Sequence, residues 1–255
     1  MRGTLIICAD PESLAREGAR RFVAAVELRA HAESAVPVAL AGGATPRRLY
    51  ELLATPELQG RIPWAKLHFF WGDERLVPPD HPESNYRLAR EALLRHVPLP
   101  RENIHPVAVQ SSPEATALAY EQELRAHFRQ RRGAPAFDVI LLGLGADGHT
   151  ASLFPRAAPL AERERLVVAA YSPVGGAPRV TFTLPLINQA RQIFFLVAGE
   201  DKAAALRLAV EAPGTLPAQQ VAPRQGALVW LVDSAAAGQL HAVRVAPPVA
   251  SEAEP

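Results

Sequence analysis

Short apolar runs of strand length recur along the chain and are separated by segments with helical spacing. Several runs are continuous rather than alternating, which is typical of strands buried on both faces of a parallel sheet. The runs predict strands at residues 5–8, 36–40, 67–71, 137–142, 166–170, 193–197 and 228–232.

Helical patterns lie between these strands. Asp10 followed by Pro11 is typical of an N-cap with proline in the first helical position, and Thr45 followed by Pro46 repeats that signal. Alternating strands and helices predict an α/β fold with a mostly parallel sheet. Further helices are predicted at 83–95, 112–131 and 201–210, and a loop at 211–226.

Composition bounds the class of protein. With 49% hydrophobic and 21% charged residues, the chain of 255 residues has enough apolar material for a packed core. We expect one domain over residues 1–246 and a frayed tail at 247–255. A net charge of +1, without a basic cluster interleaved with aromatics, predicts no nucleic-acid partner, so any anion site must be local.

Cysteine content and hydropathy bear on the compartment. The single cysteine, Cys8, excludes an internal disulfide framework and a cysteine-rich metal site. No apolar run approaches the ~18 residues of a transmembrane helix. The short apolar stretch before Asp10 lacks the longer core and cleavage signal of a secretory peptide. We therefore expect a cytoplasmic protein with no membrane partner.

In parallel sheets, ligands bind beyond the carboxyl ends of the strands, so the loops there matter most. The first such loop carries Gly42 and Gly43 ahead of a predicted helix. Glycines let backbone N–H groups approach a ligand, and a helix N-terminus favours an anion such as phosphate. The alternative is an ordinary tight turn with Thr45 as N-cap. Because no Gly-Lys-Ser/Thr ending follows, this is not an ATP-binding P-loop.

The second loop turns abruptly from an apolar strand to Asp73, Glu74 and Arg75, with Asn85 following. Charges placed at a strand's end, rather than along it, indicate a site. Asp73 or Glu74 could hold Arg75 in a fixed pose through paired hydrogen bonds. The alternative is a surface ion pair.

The third loop is rich in glycine and contains Asp147 and His149. Gly143, Gly145 and Gly148 match the dinucleotide-binding pattern G-x-G-x-x-G, but the context fails. The motif is outside the first βα unit, Pro155 soon interrupts, and no acid for a ribose ends the next strand. What remains is a loop presenting His149, whose side chain moves protons near neutral pH, although a lone histidine is often structural.

The fourth loop places Lys202, one of two lysines, at the start of a predicted helix. A cation there opposes the helix dipole, which a bound anion would resolve. Arg179, which opens another strand, is a second possible anion partner. Both residues could equally be ordinary surface cations.

Other chemistries lack their signatures. No Gly-x-Ser-x-Gly elbow of a serine hydrolase occurs, and no H-x-x-x-H pair supports a helical zinc site. Cys8 lies in an early apolar strand, which indicates a core residue rather than a nucleophile. We therefore predict no metal site.

Taken in order over roughly residues 5 to 235, these motifs resemble the 6-phosphogluconolactonase family. Related glucosamine-6-phosphate deaminases have Asp-Glu-Tyr where this chain has Asp73-Glu74-Arg75, and they differ after the histidine. Ala44 stands where serine is common in the family, so this chain lacks the side-chain phosphate donor of that serine. The motifs are Gly42-Gly43-Ala44-Thr45-Pro46, Trp71-Gly72-Asp73-Glu74-Arg75, Ser84-Asn85-Tyr86, Asp-Gly-His-Thr-Ala-Ser-Leu-Phe-Pro at 147–155, and 199–202.

The resemblance implies a Rossmann-like α/β sandwich, with residues 1–246 as a single catalytic domain. It implies hydrolysis of 6-phospho-D-glucono-1,5-lactone to 6-phosphogluconate in the oxidative pentose phosphate pathway. The partner would be this small phosphosugar lactone, with no metal or organic cofactor and no obligate protein partner. A deaminase-like isomerase would need a further acid–base relay, and a non-catalytic sugar-phosphate sensor would need only the phosphate anchor.

The residues suggest the following roles for such a reaction. His149 is the base that activates water, with Asp147 orienting its loop, and Arg75, held by Asp73, stabilises the oxyanion. The predicted substrate- and phosphate-binding residues are Gly42, Gly43, Ala44, Thr45, Asn85, Arg179 and Lys202.

Overall fold

The computed structural model describes residues 2–129 and 135–241, and the predicted tail at 247–255 lies outside them. A six-stranded parallel sheet runs through its centre in the order β1-β9-β8-β5-β2-β3. A second, separate sheet has three antiparallel strands in the order β4-β7-β6, and its strand β4 follows β3 in the chain. The strands are β1 (Thr4–Cys8), β2 (Val36–Leu40), β3 (Leu67–Trp71), β4 (Asp73–Arg75), β5 (Val139–Leu142), β6 (Val167–Ala170), β7 (Arg179–Phe182), β8 (Gln192–Val197) and β9 (Ala227–Asp233).

Helices connect these strands. Asp10 caps the first of them as predicted, with its carboxylate accepting the Ser13 N–H at 2.7 Å. A wider π-helical turn, Arg90–Leu94, extends the fourth. The helices are α1 (Pro11–Ala32), α2 (Ala44–Leu53), α3 (Pro56–Gln59), α4 (Asn85–Ala89), α5 (Pro113–Phe128), α6 (Leu184–Ile187) and α7 (Ala203–Glu211).

The central sheet separates two hydrophobic clusters, which explains the continuous apolar runs. Val38 and Leu40 pack into the cluster that contains α1 and α2. Ala39, between them, faces the opposite cluster, which contains α5 and α7. Because successive side chains point to opposite faces and both faces are covered, every position of β2 is apolar and buried. The α/β prediction is confirmed.

One predicted strand belongs to a different sheet. The run at 166–170 forms β6, which pairs antiparallel with β7 and is not part of the parallel sheet. The predicted strand is confirmed, but its apolar character has a different cause, because it lies in an antiparallel sheet that packs against α5. Within the described residues, no helix combines the length and apolar content needed to cross a membrane.

Candidate active site

A cleft of about 480 Å³ opens at the carboxyl ends of β2, β3, β5 and β8. The loops that follow these strands form its walls, as expected for a parallel sheet. Asp147 is not part of the wall but bonds the ring of His149. The other predicted site residues all line the cleft: Gly42, Gly43, Ala44, Thr45, Asp73, Arg75, Asn85, His149, Arg179 and Lys202.

The first wall is the glycine loop that leads into α2. Gly43 has a φ of 104° and lies immediately before the helix, and no side chain caps that end. The prediction that Thr45 is the N-cap is therefore wrong, since the helix already begins at Ala44. The first amides of a helix have no intrahelical acceptor, and Pro46 has no N–H. The open N–H groups at this end therefore belong to Ala44 and Thr45, both of which line the cleft.

Close packing behind this wall requires Gly42. A Cβ there would lie 1.9 Å from Oδ1 of Asn85, a buried side chain that donates to the Asp73 carbonyl at 2.9 Å. Tyr50 fixes the same loop, since its hydroxyl donates to the Ala41 carbonyl at 2.8 Å. The glycine loop and β4 are thus joined through Asn85.

The second wall presents His149 on a tightly folded loop. Gly148 has a φ of 83°, and its carbonyl accepts the Ala218 N–H at 3.2 Å. The Gly145 N–H donates to the His149 carbonyl at 2.8 Å. A Cβ on Gly145 would lie 2.1 Å from Nδ1 of His149, so this glycine makes room for the imidazole.

The His149 ring is held by Asp147. Its Nδ1 lies 2.5 Å from Oδ1 of Asp147, which also accepts the His149 backbone N–H at 3.1 Å. Partial burial opposes ionisation of Asp147, but these two bonds hold its pKa below the ordinary value. A carboxylate at Nδ1 favours the tautomer with the proton on Nδ1, which leaves Nε2 able to accept a proton.

The third wall is β4, and its acidic side chains do not hold the Arg75 guanidinium as predicted. Asp73 accepts the Ser152 hydroxyl at 2.7 Å, whereas the Arg75 guanidinium donates to the Glu83 carbonyl at 2.7 Å. The prediction was wrong because donors from distant segments occupy the Asp73 carboxylate.

Glu74 has a structural role in the same strand. Its buried carboxylate accepts backbone N–H groups of Arg75, Asn85 and Tyr86, each at 2.8 Å. Burial raises the pKa of Glu74, although these three N–H groups oppose the shift. Glu74 therefore fixes the start of α4 against β4 and brings Asn85 to the cleft.

Arg75 and Arg179 lie directly opposite each other in the register of β4 and β7. The Nε of each is buried and has no hydrogen-bond partner among the described residues. Burial, and then the nearby Arg75 charge, lowers the pKa of Arg179. A bound anion would stabilise these two adjacent guanidinium groups, because it would accept hydrogen bonds from their unpaired donors and offset their like charges.

Lys202 lines the cleft from the loop after β8. It precedes α7, as predicted, and its ammonium pairs with Asp201 at 2.9 Å. This ion pair keeps the pKa of Asp201 below its ordinary value. The sequence did not indicate Asp201, which also lines the cleft.

Comparison with known proteins gives the family. Residues 9–230 match the family described as "Glucosamine-6-phosphate isomerases/6-phosphogluconolactonase". The chain belongs to this family. The resemblance seen in the motifs is therefore confirmed.

Curated relatives agree with this assignment. The chain is 50% identical over 209 residues to a 6-phosphogluconolactonase from Synechocystis sp., covering 80% of this chain and 84% of the relative. It is 42% identical over 246 residues to one from Nostoc sp., covering 94% and 99%. A solved 6-phosphogluconolactonase from Trypanosoma cruzi superposes with a TM-score of 0.83 at 30% identity, covering 94% and 98%.

Two residues that contact the candidate site, Ser152 and Phe154, were not singled out in the sequence, although the quoted motif contains both. Ser152 is buried, bonds Asp73 and lies 3.5 Å from Nη1 of Arg179. The Phe154 ring contacts the His149 ring at 4.8 Å between centroids and lies 5.6 Å from the Arg179 guanidinium carbon. These contacts place Arg179 beside the histidine, which spacing in the sequence does not show.

The packing of Gly145 gives a test of the histidine's placement. Gly145→Ala should lower kcat for hydrolysis of 6-phosphogluconolactone by about 10²-fold, because the added methyl group must displace the imidazole of His149. Steady-state kinetics of the purified variant checks this. Gly60→Ala is the control, since a Cβ at Gly60 meets nothing within 4 Å. Unchanged kcat in Gly145→Ala would contradict the placement.

Proposed function

We propose that this protein hydrolyses 6-phospho-D-glucono-1,5-lactone to 6-phosphogluconate, the second step of the oxidative pentose phosphate pathway. The observation that carries the proposal is that His149, held by Asp147, shares one cleft with an open helix N-terminus and two arginines whose buried Nε atoms have no hydrogen-bond partner among the described residues. A phosphorylated substrate that is hydrolysed at a carbonyl needs an acid–base residue for the reaction, and it needs donors and positive charge for its anionic groups. The names of the curated relatives support the same reaction.

The phosphate is anchored by the glycine loop and Lys202. Ala44 and Thr45 supply N–H groups, the Thr45 hydroxyl is a further donor, and the ammonium adds positive charge. The lack of a serine at Ala44 leaves the backbone donors unaffected. Anchoring one end of the sugar fixes the distance from its C1 carbonyl to the opposite wall, which is the positioning contribution to the rate.

His149 acts on the water molecule. With Nδ1 bonded to Asp147, Nε2 takes a proton as the water oxygen forms its bond to C1. The resulting tetrahedral intermediate carries negative charge on the former carbonyl oxygen. When that intermediate collapses, the bond from C1 to the ring oxygen breaks, and His149 returns the proton to this oxygen.

Arg75 stabilises the oxyanion, with Arg179 beside it. Their opposed positions in β4 and β7 mean that they act as one concentrated positive charge. Arg179 contacts Phe154, which also contacts His149, so the pair lies towards the reacting carbonyl. Asn85, Ser152 and Asp73 hold this wall in place.

The reaction as proposed needs no metal or organic cofactor, because a lactone carbonyl is already activated and water is the nucleophile. We further propose that residues 1–246 act as a single catalytic domain in the cytoplasm, with the phosphosugar lactone as its small-molecule partner. The cleft supports the single domain, since it draws on loops between residues 40 and 202.

The proposal is tested by adding fresh lactone at low temperature and mildly acidic to neutral pH, where the spontaneous reaction is slow. Product is detected through 6-phosphogluconate dehydrogenase. We expect a rate far above that in buffer. Ammonia release from glucosamine 6-phosphate would instead favour a deaminase, and phosphosugar binding without turnover would favour a sensor.

The phosphate anchor gives a separate prediction. Lys202→Ala should weaken binding of 6-phosphogluconate by about tenfold or more, because a charge-assisted hydrogen bond to phosphate is lost. Calorimetric titration measures this change. Asp201→Asn is the matched variant: it frees Lys202 from its ion pair and should bind the product at least as tightly as the wild type. An unchanged affinity in Lys202→Ala would remove this lysine from the anchor.

A further inference from the structure

Three histidines from separate elements meet on one face of the central sheet. His68 belongs to β3, and His127 lies in the last turn of α5. His105 directly follows Ile104, which pairs with Phe69 of β3. One ring nitrogen of each can be chosen so that all lie within 4.8 Å of one another. Among residues 2–129 and 135–241, these three histidines are the group of side chains close enough together to hold a metal ion.

The backbone around the cluster is firmly fixed. Ile104 pairs with Phe69 in parallel orientation, and the His105 N–H donates to the Phe69 carbonyl at 2.9 Å. Tyr120 of α5 donates to the His105 carbonyl at 3.2 Å. The Phe70 ring stacks on His105 with centroids 4.3 Å apart and planes 5° apart. Strand and helix contacts therefore fix the backbone of His105, and stacking on Phe70 orients its ring.

The spacing of the ring nitrogens suits a tetrahedral metal. Nδ1 of His68 lies 3.1 Å from Nε2 of His105. Two imidazole nitrogens bound to zinc at ~2.0–2.1 Å in tetrahedral geometry lie roughly 3.3 Å apart. The His127 ring is close to both, with centroids 4.7 Å from His68 and 5.5 Å from His105. Small side-chain rotations would bring three nitrogens onto one ion.

A carboxylate supports the central ligand. Oε1 of Glu123 lies 3.0 Å from Nδ1 of His105. This contact orients the ring and places the proton on Nδ1, so that the Nε2 lone pair points into the cluster. Histidine ligands of metals in proteins nearly always have such a partner on the second ring nitrogen.

We propose that His68, His105 and His127 form a binding site for a divalent transition metal, with zinc as the fitting ion. Imidazole nitrogens are suitable ligands for zinc, and three of them leave a fourth position for water. His68 lies roughly 13 Å along β3 from Gly72 at the cleft, so the ion takes no part in the reaction. It ties edge strand β3 to the C-terminal end of α5.

The test uses the full chain without a polyhistidine tag, stripped of metal and titrated with Zn²⁺. We expect one ion per chain and, at a free zinc concentration about 100 times Kd, a rise in Tm on the order of 5–10 °C. Cobalt should bind at the same site and give the intense visible bands of four-coordinate Co²⁺.

Variants separate this site from the catalytic histidine. His127→Gln should weaken zinc binding by more than about tenfold, and Glu123→Gln by about 10- to 100-fold, with the metal-free Tm little changed. His149→Ala and the exposed His96→Gln should bind zinc as the wild type does. Zinc binding that is absent, unchanged in His127→Gln and Glu123→Gln, or lost in His149→Ala would overturn the proposal.

Discussion

Replacing His149 with alanine is expected to lower kcat for hydrolysis of the phosphorylated lactone by about 10²–10⁴-fold, the usual contribution of a positioned acid–base group. Binding of 6-phosphogluconate should change little, because the proposed phosphate anchor lies on other loops of the cleft. Steady-state kinetics for the lactone, with a calorimetric Kd for the product, separates the two effects.

Asp147→Asn provides the companion measurement. The amide keeps the shape of Asp147 but loses the charge that orients the imidazole, so kcat should lie between those of the wild type and His149→Ala. His96→Ala, an exposed histidine outside the cleft, is the control for loss of an imidazole. A His149→Ala enzyme with near-normal kcat would exclude this residue as the base.

Replacing Arg75 with methionine is expected to lower kcat by about 10²–10³-fold, the usual cost of losing one oxyanion donor. Methionine retains an unbranched apolar side chain while the charge is removed. Since Arg75 and Arg179 face each other across β4 and β7, the change also relieves repulsion between like charges. We therefore expect activity to be lost without a fall in Tm.

Affinity distinguishes the possible roles of Arg75. If kcat falls and the product Kd is unchanged, Arg75 serves the oxyanion; if the product Kd rises instead, with kcat preserved, Arg75 binds phosphate. Arg16→Met is the control, because Arg16 is an exposed arginine that forms an ion pair with Glu12 on α1. The oxyanion role is contradicted if Arg75→Met retains normal kcat.

The strands of the central sheet could be predicted from the sequence because each is marked by a run of apolar residues within the strand itself. The runs at 36–40 and 67–71 coincide with β2 and β3. Both are mostly apolar, and a polar residue or glycine lies within two positions of each end, which leaves little freedom in placing the ends. The second sheet could not be predicted in the same way. Strand β4 consists of Asp73, Glu74 and Arg75, and it becomes a strand through pairing with β7, which is distant in sequence.

For the candidate site too, the sequence showed the local features and missed the contacts between distant segments. Glycine loops after strands identified the cleft, because topology alone brings the carboxyl ends of parallel strands together. The contacts of Asp73 and Arg75 were mispredicted, since their partners, Ser152 and the Glu83 carbonyl, come from other segments. His68, His105 and His127 have no motif spacing, so three-dimensional structure was needed to show them as a group.

In the proposed mechanism, a phosphate anchor positions the lactone carbonyl for attack by the water that His149 activates. The most direct test compares kcat/KM for 6-phosphogluconolactone with that for the same lactone without its phosphate. We predict a large acceleration over buffer for the phosphorylated lactone, and a kcat/KM at least about 10²-fold lower without the phosphate. Equal kcat/KM for the two lactones, or no acceleration of the phosphorylated one, would rule out this mechanism.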